Sequence, residues 1–153
     1  LADRHVNNID VKRAEELNLA LEALHFAFRS ITAQPDAILA KQGMGRAHHR
    51  ILFMLAHRGE LPMSELTEIL GISRQALHRP LSDLSKKGYV ATRPSPEHWR
   101  VTLVDLTAAG RNLENRLSGM QREQMAEAFA AAGGKAEKAW FAIMDSLGAP
   151  LRK

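Results

Sequence analysis

LPMSELTEILGISRQALHRPLSDLSKKGYVATRPSPEHWRVTLVDLT, residues 61–107, is the stretch whose reading decides the fold. Leu66, Ile69 and Leu70 lead into Gly71-Ile72 and then Ser73, whose hydroxyl suits the N-cap of a new helix. After Ser73, apolar residues fall at Leu77, Leu81 and Leu84, so one stripe of that helix can be buried. The other face carries Arg74, Gln75, His78, Arg79, Ser82 and Lys86. This division is what a helix–turn–helix requires, because one face packs while the other offers donors to base edges and phosphates. Residues 89–93 and 100–106 are β-rich, and Pro94-Ser-Pro-Glu-His-Trp99 between them suits a hairpin tip. Leu61 adds a brief third strand, and the unit is expected to be a winged helix, for which sequence-specific binding of double-stranded DNA is the predicted role.

Charge agrees with this reading. The chain carries a formal +4, and residues 71–100 hold all of it. Arg74, Arg79, Lys86, Lys87, Arg93 and Arg100 stand there against only Asp83 and Glu97, and the remaining 15 basic and 15 acidic residues cancel. The excess lies where a phosphate backbone would attract it. The 153 residues, 45% apolar and 25% charged, suit one globular subunit. With no cysteine, disulfide frameworks, cysteine zinc sites and thiol redox sensing are excluded. No apolar run approaches the roughly 20 residues needed to span a bilayer. Residues 1–10 lack a signal-peptide layout, so a cytoplasmic protein with no membrane partner is expected.

On either side of the winged unit the pattern is helical. Residues 10–33 place Ala14, Leu17, Leu21, Leu24, Phe28 and Ile31 at alternating three- and four-residue spacing, widened by Leu19 and Phe26. Pro35 is expected to end that helix, with a short helical turn at residues 36–41. Residues 46–58 form the next helix, burying Ile51, Leu52 and Leu55 together with Ala47 and Phe53. Thr107 caps a long helix reaching Ala132, Gly133-Gly134 break it, and residues 135–147 close the chain with Ala136, Trp140, Ile143 and Leu147 on one face. The predicted fold is mainly α with a small β wing. Residues 46–106 make the winged-helix DNA-binding lobe, and residues 10–42 and 107–153 supply helices that pair two copies into a homodimer.

Residues 46–110 resemble the MarR-type winged-helix regulators. SELTEILGIS at 64–73, LSDLSKKGYV at 81–90 and VTLVDLTAAG at 101–110, with its Leu-Thr-x-x-Gly ending, carry the resemblance. It implies a dimer whose second helices enter successive major grooves of a pseudo-palindromic operator, while each wing brings an Arg to the minor groove. By position, Ser73, Arg74, Gln75, His78 and Arg79 would face the groove. Ser82, Lys86, Arg93 and His98 add to the DNA face, and Arg100 matches the wing's Asp-x-Arg pattern. Two departures stand out. His98 replaces the Asp that would orient Arg100, with Trp99 between them, and Pro80 falls inside the reading helix, where a kink near residues 76–80 is expected.

Other chemistry finds little footing. His48 and His49 are adjacent on a helix and diverge by about 100°, and no carboxylate completes a zinc pattern around the seven histidines, so no metal or cofactor is expected. Neither a phosphate loop nor a Gly-x-Ser-x-Gly elbow occurs, and catalysis is not expected. Family members commonly answer to small aromatic or phenolic effectors, and His25, Phe28, His49 and Phe53 are the residues that could line such a crevice. The expected function is that of a ligand-released repressor. The alternative is a winged helix turned protein-interaction module, with Pro80 and the altered wing as its marks.

Overall fold

The computed structural model describes residues 10–152. The signal-peptide reading of residues 1–9 and the last residue of the 107–153 range lie outside them. The order is α1 (Val11–Ala40), α2 (Arg46–Arg58), β1 (Leu61–Pro62), α3 (Met63–Leu70), α4 (Arg74–Lys86), β2 (Val90–Pro94), β3 (Thr102–Leu106), α5 (Ala108–Ala132) and α6 (Gly134–Gly148). A single 3-10 turn, Ala149–Leu151, follows. The chain divides into two compact units at Ala33/Gln34.

The first unit is the bulk of α1. Its seam residues Leu21, Leu24 and Phe28, and its flankers Leu19 and Phe26, are all exposed in the single chain. Pro35 does not end α1, which runs on to Ala40 with the proline inside it. Proline forfeits one N–H and costs about 3 kcal/mol in a solvated helix. Here its ring is fully buried, as is Leu39 one turn later, and that burial opposes the cost. Residues 36–41 are therefore largely a continuation of α1 rather than a separate turn.

The second unit builds one core from the end of α1 and from α2 through the first turns of α5. Leu39, Ile51, Leu52, Leu55, Leu66, Leu77, Leu84, Val104 and Leu117 are completely enclosed in it. α2 buries His49, Ile51, Leu52 and Leu55, but the expected core positions Ala47 and Phe53 are exposed. Phe53 instead stacks flat on His57, ring centroids 5.8 Å apart. The apolar stripe is narrower than the sequence pattern predicts.

The sheet order is β1-β3-β2, both pairings antiparallel. Leu61 pairs with Val104, Val90 with Leu106, and Arg93 with Leu103. Because side chains alternate across a strand, this register turns Leu61, Val90, Val104 and Leu106 to the core. It leaves Arg93 and Asp105 on the outer face, the face to which Glu60 also belongs. The joint between wing and α5 is closely fitted. Thr107 donates its hydroxyl to the Gly88 carbonyl (2.6 Å) and accepts from the Gly110 N–H (3.1 Å). A Cβ on Gly110 would lie 1.9 Å from the Tyr89 carbonyl oxygen, so only glycine fits there. The first turns of α5 (Leu113, Glu114, Leu117, Ser118) are buried and belong to the core of this unit. Further along, Phe129 meets Trp140 and Phe141 of α6 edge-on or tilted, at 5.5 and 6.0 Å. No residue of α6 is buried.

Candidate nucleic-acid interface

Gly71 makes the turn between α3 and α4. It sits in the left-handed region (φ 64°), donating to the Glu68 carbonyl, while Ile72 donates to the Thr67 carbonyl. Ser73 then caps α4, its Oγ accepting from the Ala76 N–H at 3.0 Å. α4 buries Leu77, Pro80, Leu81 and Leu84 and exposes Arg74, Gln75, His78, Arg79 and Lys86, with Ser82 half-buried at the margin. Within the described residues the side chains of Arg74, Gln75, His78 and Arg79 make no hydrogen bond or ion pair. Pro80 does not interrupt the helix, which continues from Arg74 to Lys86. As at Pro35, a proline on the inward stripe contributes a buried apolar ring, which opposes the cost of its missing N–H.

The one acid on α4 is turned to the scaffold. Asp83 Oδ2 lies 3.0 Å from His48 Nε2, while His48 Nδ1 accepts the Gly45 N–H, also at 3.0 Å. With Nδ1 accepting, Nε2 carries the proton and donates to Asp83. That hydrogen bond, with help from the Arg79 and Lys86 charges, holds the Asp83 carboxyl below its ordinary value. His49 diverges as its position on the helix dictates. It packs against α5, with Nε2 3.1 Å from Ser118 Oγ. Burial lowers its pKa, and the nearby charges of Glu114 and Asp36 oppose that shift. Asp36 itself donates nothing and binds Arg46 at 2.9 Å.

On the wing, Arg93 is held by Glu60 in a two-pronged pair, Nε at 2.8 Å and Nη2 at 2.6 Å. The hydrogen bond lowers the Glu60 pKa and raises that of Arg93. The tip is closed by Ser95 N–H to the Val101 carbonyl and Val101 N–H to the His98 carbonyl, both 2.8 Å. His98 lines an open cleft of about 460 Å³ with Pro62, Arg93 and Leu103. Arg100 lies over the Trp99 ring, 5.0 Å from its centroid.

Sequence reasoning thus named the exposed face of α4 but missed Glu60 and the His48–Asp83 tie. Glu60 became legible only with the sheet register, which no local pattern supplies. Among the effector candidates, His49 turns inward and Phe53 outward, so the two do not line a common cavity within their unit. His25 and Phe28 belong to the other unit, where His25 meets Phe26 edge-on at 5.4 Å. Among the described residues no group of three potential metal ligands gathers, and no helix is long and apolar enough to cross a membrane.

Comparison with known proteins points one way. The family model described as MarR family matches residues 42–100. The HTH-type transcriptional regulator PetP of Rhodobacter capsulatus is 35% identical over 133 residues, 87% of this chain and 80% of that protein. Two solved structures share the fold. NadR in complex with 4-hydroxyphenylacetate superposes with a TM-score of 0.71 at 23% identity, covering 85% of this chain and 90% of NadR. A mutant MarR from E. coli complexed with operator DNA gives 0.62 at 20% identity, covering 89% and 96%.

Proposed function

The chain belongs to the MarR family, and from that premise we propose that it is a homodimeric repressor reading a pseudo-palindromic operator. It acts by binding, not by catalysis. The observation that carries the reading is the face of α4. Four polar or cationic side chains (Arg74, Gln75, His78, Arg79) stand there without partners among the described residues, on a helix anchored by four buried ones. Arg and Gln suit guanine and adenine edges in a major groove, and Lys86 suits phosphate.

A dimer would put two such helices about one helical turn of DNA apart. The uncovered apolar seam of α1 and the wholly unburied α6 support pairing, since two copies could bury what one leaves in water. A small aromatic or phenolic effector would release DNA to the extent that it favours one spacing of the reading helices over another. 4-Hydroxyphenylacetate, named for the NadR complex, is the first such compound to try.

Selection from random duplexes tests the reading. An enriched two-fold sequence whose binding weakens steeply with salt is expected. No enrichment, or a salt slope near zero, would favour the protein-interaction module instead.

A further inference from the structure

Trp99 is 76% exposed at the tip of the hairpin. The turn that holds it is ordered, tied by the two 2.8 Å bonds at its base and by Glu97 N–H to Ser95 Oγ at 3.3 Å. Arg100 makes no ion pair among the described residues, and its guanidinium lies over the indole face. Where the family pattern would have a carboxylate to orient this Arg, His98 faces the cleft beside Pro62 and Leu103 instead.

We propose that Trp99 is a DNA-contacting residue: its indole rests on the lip of the minor groove, against deoxyribose, and presents Arg100 to the groove floor. This rests on the DNA-binding reading above. The chemistry follows from the stack. A guanidinium lying on an aromatic face keeps its N–H edge free for acceptors in the plane, while the ring restricts its rotamers. The pair, with 5.0 Å between charge and centroid plus the thickness of each group, is wider than the roughly 6 Å minor groove. Both therefore cannot enter. The charged member is drawn to the negative potential of a narrow A·T-rich groove, and the apolar member stays on the sugar wall. Arg100, a cation with no ion pair among the described residues, favours DNA over an apolar protein partner for this tip.

The test uses the duplex enriched by selection, in two versions whose wing-facing flanks are A·T-rich or G·C-rich. Trp99→Ala is expected to bind the A·T-flanked duplex about ten-fold more weakly, a loss of about 1.4 kcal/mol, with a much smaller change on the G·C-flanked one. Trp99→Phe should recover most of the loss. The salt slope should stay constant, because no phosphate contact is removed. The emission difference between wild type and Trp99→Phe, which isolates Trp99 from Trp140, should change on adding duplex. If wild type binds and both that emission and the Trp99→Ala affinity are unmoved, the wing assignment is overturned while the DNA reading stands. If wild type enriches no duplex, both fall.

Discussion

On α4, Arg74 and Arg79 project from a helix gripped along its opposite side, and neither has a partner among the described residues. On the wing, Arg93 is clamped by Glu60 and Arg100 lies over Trp99. The same kind of cation is left loose in one region and held in the other. A loose Arg gives up about 2 kcal/mol of rotamer entropy when it docks, and in exchange it can adjust to whichever base edge it meets. A held Arg gives up less but arrives in one pose. On the proposed DNA-binding reading, the helix would read bases and the wing the width of a groove.

The largest effect is expected where the two regions join. Gly110→Ala drives a methyl group into the Tyr89 carbonyl, on the link from α4 to β2, and should destabilise the fold by about 3 kcal/mol. Urea unfolding with an unchanged slope would measure it, and an unshifted midpoint would mean the joint is slack. Arg74→Ala comes next. A loss of about 1–3 kcal/mol of discrimination at one base pair, seen by binding to single-substitution duplexes, would mark the loose face as the reader. Lys86→Ala should instead weaken every sequence alike and lower the salt slope by about one.

The clamp can be opened directly. Glu60→Gln should leave the unfolding midpoint nearly unchanged, because the pair is solvent-exposed. Freed to find phosphate, Arg93 should steepen the salt slope by up to about one. A slope that does not move would show that Arg93 lies out of reach of the DNA whether or not Glu60 holds it.

The smallest effect concerns His49. Its folded-state pKa lies below the ordinary value of 6.5, so the unfolded chain takes up that proton first on acidification. The contribution to stability should be complete above pH 6.5 and should decline as the pH falls below it. A His49→Gln variant should flatten that part of a melting-temperature profile.

Helix starts and stops were legible in the sequence wherever a side chain signals through its own backbone. Ser73, Thr107 and Gly133 mark ends that the structure reproduces to within a residue. Pro35 misled because a missing N–H is visible in the sequence while the burial of a ring is not. Phe53 misled for the converse reason, as its helical spacing promised a core that α2 does not extend to that side. On the wing, Arg93 could be named as a cation from the sequence. Whether it was free depended on Glu60, 33 residues away and brought to the same sheet face only by the β1-β3-β2 register.

The His48 ring has a consequence of its own. One nitrogen secures the first turn of α2 through Gly45, and the other secures the last turn of α4 through Asp83. A rotation that improves one bond must spoil the other. The entry of α2 and the last turn of α4 therefore share one anchor, and a substitution that removes the His48 ring would release both.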